Sequence, residues 1–209
     1  MNFATLRQTM VDTQLKTVGV NDPAVLAAMA AVPREDHLPA ALQGLAYADA
    51  ALEVGPGRWL LEPMVLGLLL THARPAAGER VLIVGAATGY SAAVCARLGL
   101  VVTALESDAG LATAAQAAGV AIVEGPLTEG WPDAAPYDLI LFEGAIETVP
   151  EAIAGQLAEG GQAAAVVREN GVGRAVVGSV VAGRIAGLPF LEVAARPLPG
   201  FARSRSFAF

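Results

Sequence analysis

The sequence predicts an α/β fold, a doubly wound and mostly parallel sheet preceded by N-terminal helices. Two observations carry this expectation. From residue 80 onward, short β-branched runs alternate with Ala-rich stretches of helical composition. The first of those runs leads straight into a small-residue turn that opens a helix. Parallel strands need crossover helices that cover both faces, so they read as continuous apolar runs, as these do.

Taken in order, residues 3–17 and 23–32 place Leu, Val and Met at helical spacing. Asn21-Asp22-Pro23 supplies a cap followed by proline in the first turn, and Val32-Pro33-Arg34 ends the second helix. A short helical stretch near 40–45 precedes AYADAALEVGPGRWLLEP (46–63), which reads as extended pieces around Gly55-Pro56-Gly57. Strands are expected at 80–84, 101–106, 120–124 and 137–143, helices at 90–98 and 108–118, and a loop at 125–136. Beyond Pro150 the pattern gives a helix to 158, a break at Gly160-Gly161 and a fifth parallel strand in QAAAVV (162–167). Residues 173–183 and 184–197, divided by Gly183, predict two further strands and an antiparallel end to the sheet.

A chain of 209 residues suits one domain, with helices and a loop over 1–75 and an α/β core over 76–209. The formal charge of -7 argues against a surface that tracks phosphates, so nucleic acid is not an expected partner. Arg7, Asp12 and Lys16 interrupt the N-terminal apolar residues, so no secretory leader is expected. The apolar run MVLGLLL (64–70) falls short of the roughly 18 to 20 residues that cross a bilayer. Cys95 stands alone and reads as a buried helix residue, which fits a reducing cytoplasm. His37 and His72 lie apart without ligand-spaced neighbours, and no metal is expected. The tail FARSRSFAF (201–209) reads as a segment that packs back on the domain. Oligomeric state is not legible.

The informative unit is RVLIVGAATGYSAAVCARLGLVVTALES (80–107). In a doubly wound fold the turn Gly85-Ala86-Ala87-Thr88-Gly89 points backbone N–H groups at a ligand, and small residues let that ligand approach. Glu106, 17 residues after Gly89, falls at the end of the second strand, where a carboxylate can accept from both hydroxyls of a ribose. A dinucleotide fingerprint asks for G-x-G-x-x-G, whereas Ala87 and Tyr90 stand where its later glycines belong. A dinucleotide is therefore disfavoured.

With AVLAAMAAVPR, AYADAALEVGPGRWLLEP, RVLIVGAATGYSAA, LES, EGWPDAAPYDLIL and VPEAIAGQLAEGG in this order, the chain resembles the protein-L-isoaspartate O-methyltransferases from residue 10 to about 170. The resemblance implies a seven-stranded, Rossmann-like methyltransferase sheet and S-adenosylmethionine as cofactor. It also implies methyl transfer to isoaspartyl carboxylates in damaged proteins, with an isoaspartyl-containing protein or peptide as partner. Carried over by position, the cofactor residues are Gly85, Ala86, Ala87, Gly89, Glu106, Ser107, Glu124, Gly125 and Glu143. Glu124 stands one position ahead of the family's adenine-side acid, and Glu143 would face the methionine portion.

The pattern departs from the family at defined places. Gly57-Arg58-Trp59-Leu60-Leu61-Glu62-Pro63 stands for the family's G-x-T-I-S-x-P, so Trp59 and Leu61 replace hydroxyls that lie close to the carboxylate being methylated. No catalytic residue is assigned on this basis. Ile83 replaces an acid and Ala87 the middle glycine; a positive φ at Ala87 would cost about 1 kcal/mol. Two alternatives follow from these changes, a different methyl acceptor and a noncatalytic binding or regulatory protein.

Overall fold

The computed structural model describes residues 2–203. The chain enters through α1 (Phe3–Thr9), which continues as a π-helical turn over 10–15 and a tighter turn over 16–18 until Gly19 stops it with φ 100°. The hydroxyls of Thr9, Thr13 and Thr17 each donate to the carbonyl four residues back, a competition with the backbone ladder that accompanies this irregular winding. Helix α2 (Pro23–Ala31) starts where expected, with the Asp22 carboxylate accepting from Ala24 N at 2.8 Å and Val25 N at 3.2 Å. The expected turn near 40–45 is a short 3-10 segment over 43–45.

Two short strands, β1 (Leu52–Gly55) and β2 (Arg58–Leu60), form an antiparallel hairpin that is not part of the main sheet. The hairpin turns at Pro56-Gly57, with Gly57 at φ 67°. The apolar run 64–70 lies in α3 (Pro63–Ala73) and buries Val65, Leu66, Leu69 and Leu70 completely. Among the described residues no helix is long and apolar enough to cross a membrane.

The core alternates as expected: β3 (Arg80–Val84), α4 (Tyr90–Arg97), β4 (Val101–Glu106), α5 (Ala109–Ala117), β5 (Val123–Glu124), β6 (Tyr137–Ile146), α6 (Glu151–Ala154) and β7 (Leu157–Glu169). They are followed by β8 (Val172–Val181), β9 (Arg184–Ala186) and β10 (Leu191–Glu192). The strand order is β10-β8-β7-β6-β3-β4-β5, seven strands on one path with β9 added to β8. Strands β5, β4, β3, β6 and β7 are parallel, and β8 is antiparallel to β7. The winding reverses between β3 and β6, which places the switch-point crevice beyond Val84. Successive side chains alternate between faces: Val81, Ile83, Leu139 and Leu141 pack with α1 to α4, and Leu82, Val84, Ile140 and Phe142 pack on the other side.

Strand β6 runs on past the expected 143 to Ile146, and four other boundaries differ from the sequence reading. Strand β5 spans two residues rather than 120–124, because Val120 N still donates to Ala115 O and its side chain packs against Gly89. The helix expected to 158 ends at Ala154, and β7 begins at Leu157 because Tyr137 N reaches Gln156 O at 2.8 Å. Gly160-Gly161 therefore lies inside β7, at a register shift where a Cβ on Gly161 would sit 2.8 Å from Tyr137 O. The last expected strand divides into β9 and β10, separated by Gly187-Leu188-Pro189-Phe190, where proline offers no N–H. At the tail, Phe201 packs back as expected, 1% exposed and edge-on to Phe142 at 5.5 Å; residues 204–209 lie outside the described residues.

Loop 125–136 is held by the side chains of Gln156, Tyr137 and Arg80, with the Tyr137 hydroxyl donating to Trp131 O at 2.6 Å and Arg80 to Ala134 O. Gln156 accepts from Trp131 N at 2.8 Å and donates to Glu129 O at 2.6 Å and Ala152 O at 3.0 Å. Replacing it by leucine leaves three backbone groups without their partner. Gln156→Leu should lower unfolding free energy by about 1–3 kcal/mol, read from urea denaturation with an unchanged slope.

Candidate functional site

The site is built where β3, β4 and β6 end. Gly85 and Gly89 adopt φ 78° and 85°, and Ala87 adopts φ 51°, the left-handed conformation that makes alanine costly there. Four amides of this loop have partners within the protein, while the N-terminus of α4 that follows Gly89 carries no side-chain cap. Gly85 N and Ala86 N donate to Leu105 O at 2.9 and 2.8 Å, Gly89 N to Ala86 O at 2.8 Å, and Ala87 N to Glu106 Oε2 at 2.7 Å. The Glu106 carboxylate folds back over the turn and accepts from one of these four amides, that of Ala87.

Glu106 is fully buried. Besides Ala87 N it accepts from Ser107 N at 2.7 Å and Asp108 N at 3.0 Å, and it is ion-paired with the buried Arg58 guanidinium of β2. Ser107 is exposed and lies at the mouth of this arrangement. Glu124 is also exposed, at the end of β5, and Gly125 is tied to Glu106 through Gly125 N and Glu106 O at 3.0 Å. Ala86 and Ala87 are completely buried.

Glu143 is not a surface acid. It is buried, accepts from Leu61 N at 3.0 Å and is hydrogen-bonded by the Ser91 hydroxyl of α4. Burial pushes its carboxyl above the usual range, against the opposing hydrogen bonds of Ser91 and Leu61 and the charges of Arg34 and Arg58. Arg34, fully buried, donates to Leu61 O at 2.8 Å and lies over the Tyr90 ring at 4.7 Å. Leu61 is thus pinned through its backbone at both ends while its side chain, 4% exposed, packs in the core. Trp59 is half-buried beneath the Arg196 guanidinium at 4.7 Å. Ile83, at the family's acid position, is an ordinary fully buried strand residue.

Arg58, Ser91 and Leu198 are not singled out by the sequence, and Arg34 stands out only as part of the Val32-Pro33-Arg34 motif, without a role at the site. Arg58 carries one weak signal, a lone cation inside a largely apolar hairpin, but its partner lies 48 residues away. Among the described residues no group of three or more His, Cys, Asp or Glu converges as a metal site requires. Cys95 is buried, and desolvation pushes its thiol up to about 12.

A doubly wound sheet with a glycine-flanked first turn and a buried carboxylate at the end of the adjacent strand defines a Rossmann-like protein with a nucleoside-type crevice at its switch point. Family comparison makes this specific. Residues 6–177 match the model of the protein-L-isoaspartate(D-aspartate) O-methyltransferases, and the chain belongs to that family. It is 45% identical over 160 residues to the protein-L-isoaspartate O-methyltransferase of Methylorubrum extorquens, covering 74% of this chain and 70% of that protein. It is 38% identical over 163 residues to that of Methanoregula boonei, covering 75% of each. Among solved structures, a protein-L-isoaspartate O-methyltransferase superposes with TM-score 0.79 at 25% identity, over 93% of this chain and 66% of the other. A Plasmodium falciparum protein in complex with S-adenosyl-L-homocysteine shares the fold, with TM-score 0.76 at 18% identity over 95% of this chain and 98% of that one.

The frame of the crevice fits an adenosyl group: positive-φ glycines border the turn and a buried acid faces it. Its inner space is taken by this chain's own Arg58 and Leu198. The buried acid beside it gives a pH test. Glu143 has a folded-state pKa above its ordinary 4.5, so between those values the folded protein binds more protons than the unfolded one and this group's contribution falls as pH rises. Glu143→Gln removes that loss. In denaturant titrations its stability relative to wild type should rise with pH above 4.5, by at most about 1.4 kcal/mol per unit, and be flat below.

Proposed function

We propose that this chain binds S-adenosylmethionine in the switch-point crevice and methylates the carboxylate of isoaspartyl residues in proteins or peptides. The observation that carries this reading is the Glu106 carboxylate, buried at the end of β4 against the Gly85–Gly89 turn, in a chain of the isoaspartyl methyltransferase family. S-adenosylmethionine, when bound, supplies a sulfonium methyl that passes to a carboxylate oxygen while the C–S electron pair stays on sulfur. The protein's tasks are alignment and exclusion of water, because the positive and negative charges of the reactants cancel in transfer.

In this reading Glu106 accepts from the ribose hydroxyls, and Gly85, Ala86, Ala87 and Gly89 form the floor beneath it. Ser107, Glu124 and Gly125 border the adenine side. Glu143 acts at one remove, holding Leu61 and Ser91 in place. Trp59 and the C-terminal segment around Arg196 form the wall toward the acceptor. A groove of about 330 Å³ lined by His37, Leu38, Pro39, Val54, Pro56 and Leu111 runs beside the turn and offers a place for an extended peptide.

Purified protein with labelled S-adenosylmethionine should label an isoaspartyl peptide and leave its aspartyl counterpart unlabelled; equal labelling of both, or of neither, overturns the assignment. Trp59→Thr returns a hydroxyl to the acceptor wall, while Leu61 is left alone because its side chain belongs to the core. That single change should raise kcat/KM for the isoaspartyl peptide by about tenfold, the equivalent of one hydrogen bond gained in the transition state.

A further inference from the structure

The crevice is occupied from within. A methyl group added at Gly85 would lie 2.7 Å from Leu198 Cδ1 and 2.8 Å from Arg58 Nη2. These two side chains fill the space that a glycine at this turn leaves for a ligand. Leu198 arrives on a segment that docks beyond the end of β3: Ala145 N donates to Arg196 O and Leu198 N donates to Ala145 O, both at 2.8 Å, with Pro197 bridged parallel to Ala145. Arg58 arrives on β2, and the two approaches are latched by Arg196 over Trp59.

We propose that Arg58 is an internal, displaceable occupant of the cofactor crevice, so that S-adenosylmethionine or S-adenosylhomocysteine enters only when its guanidinium leaves Glu106 and the β1–β2 hairpin moves. The ion pair is not one that the fold requires. Without Arg58, Glu106 keeps three backbone donors, Ala87 N, Ser107 N and Asp108 N. Arg58 itself is only partly satisfied, since its buried Nη2 has no hydrogen-bond partner. A guanidinium held dry with one face unpaired is poised to exchange its carboxylate for water, while hydroxyl donors of a ribose take its place.

The hairpin can move without opening the main sheet. Among the described residues, strands β1 and β2 pair only with each other, and Gly57 at φ 67° sits at their turn. Leu60 is fully buried in the core and Leu61 is fixed to Glu143 and Arg34, so displacement is confined to the stretch before Leu60. Because Trp59 follows Arg58 directly, clearing the crevice also shifts the acceptor wall. Cofactor entry and the shape of the acceptor site are thereby linked.

This inference rests on the cofactor reading above, and the test separates the two. Arg58→Gln removes the charge, and Arg58→Lys keeps the charge but loses the planar fork. Isothermal titration with S-adenosylhomocysteine should show both variants binding at least about tenfold more tightly than wild type. Tryptophan fluorescence, with Trp59 and Trp131 as the only reporters, should show a wild-type binding rate that saturates with ligand concentration and a higher limit in the variants. Thermal melts confirm that each variant is folded, and the lysine variant carries the test if the glutamine variant is not. Unchanged affinity and rate in a folded variant overturn the displacement model while leaving cofactor binding intact. Weaker binding makes Arg58 a ligand-holding residue and also overturns it. No binding by any of the three proteins overturns both readings at once.

Discussion

The Glu106 carboxylate is the constraint around which the carboxyl edge of the sheet is arranged. A fully buried charge is tolerable only with enough donors, and here it has one guanidinium and the amides of Ala87, Ser107 and Asp108. Meeting that demand draws Ala87 into a left-handed conformation and turns the first βα loop inward. The carboxylate also meets the β1–β2 hairpin at Arg58, a hairpin that Leu52 and Leu60 pack into the core without a backbone ladder to the sheet. One acid thus touches both the turn and the hairpin that border the crevice.

A second buried group binds the N-terminal segment to the same edge. Glu143 on β6 holds Leu61 N and the Ser91 hydroxyl, and Arg34 holds Leu61 O while covering Tyr90. His37 and Thr88 add a reciprocal pair: His37 Nδ1 lies 2.8 Å from Thr88 O, and the Thr88 hydroxyl donates to His37 O at 2.6 Å. Residues before the sheet are therefore fastened to the first βα turn by polar contacts as well as by apolar packing. This explains why family motifs separated along the chain, Val32-Pro33-Arg34, the 57–63 loop and Gly89-Tyr90, converge in space. Buried polar groups need specified partners, so substitutions at one motif constrain the others.

The fold was legible because its elements are written locally. The runs at 80–84, 101–106 and 137–143, and the capped helix opened by Asp22-Pro23, carry their own periodicity and stop signals. Boundaries failed where a long-range contact outweighed local preference. Tyr137 recruited residues 156–157 into pairing and shortened α6, and Val120 stayed with α5 to pack beneath Gly89. The site was legible in part. A spacing rule picks out Gly85, Gly89 and Glu106, which the structure places at one edge of the sheet, whereas the internal partners of four loop amides and the burial of Glu143 leave no such local sign.

By itself the sequence determined the strand and helix alternation, the glycine-flanked turn and the acid that follows it, along with the family they belong to. These are properties of residues near one another in the chain, where spacing fixes which side chains share a face or a strand end. Only the tertiary structure decided what fills the crevice. Arg58 and Glu106 are 48 residues apart, and Leu198 reaches Gly85 from near the other end of the chain. Neither contact leaves a local pattern, because charge pairing and packing in a closed core are set by the placement of whole elements.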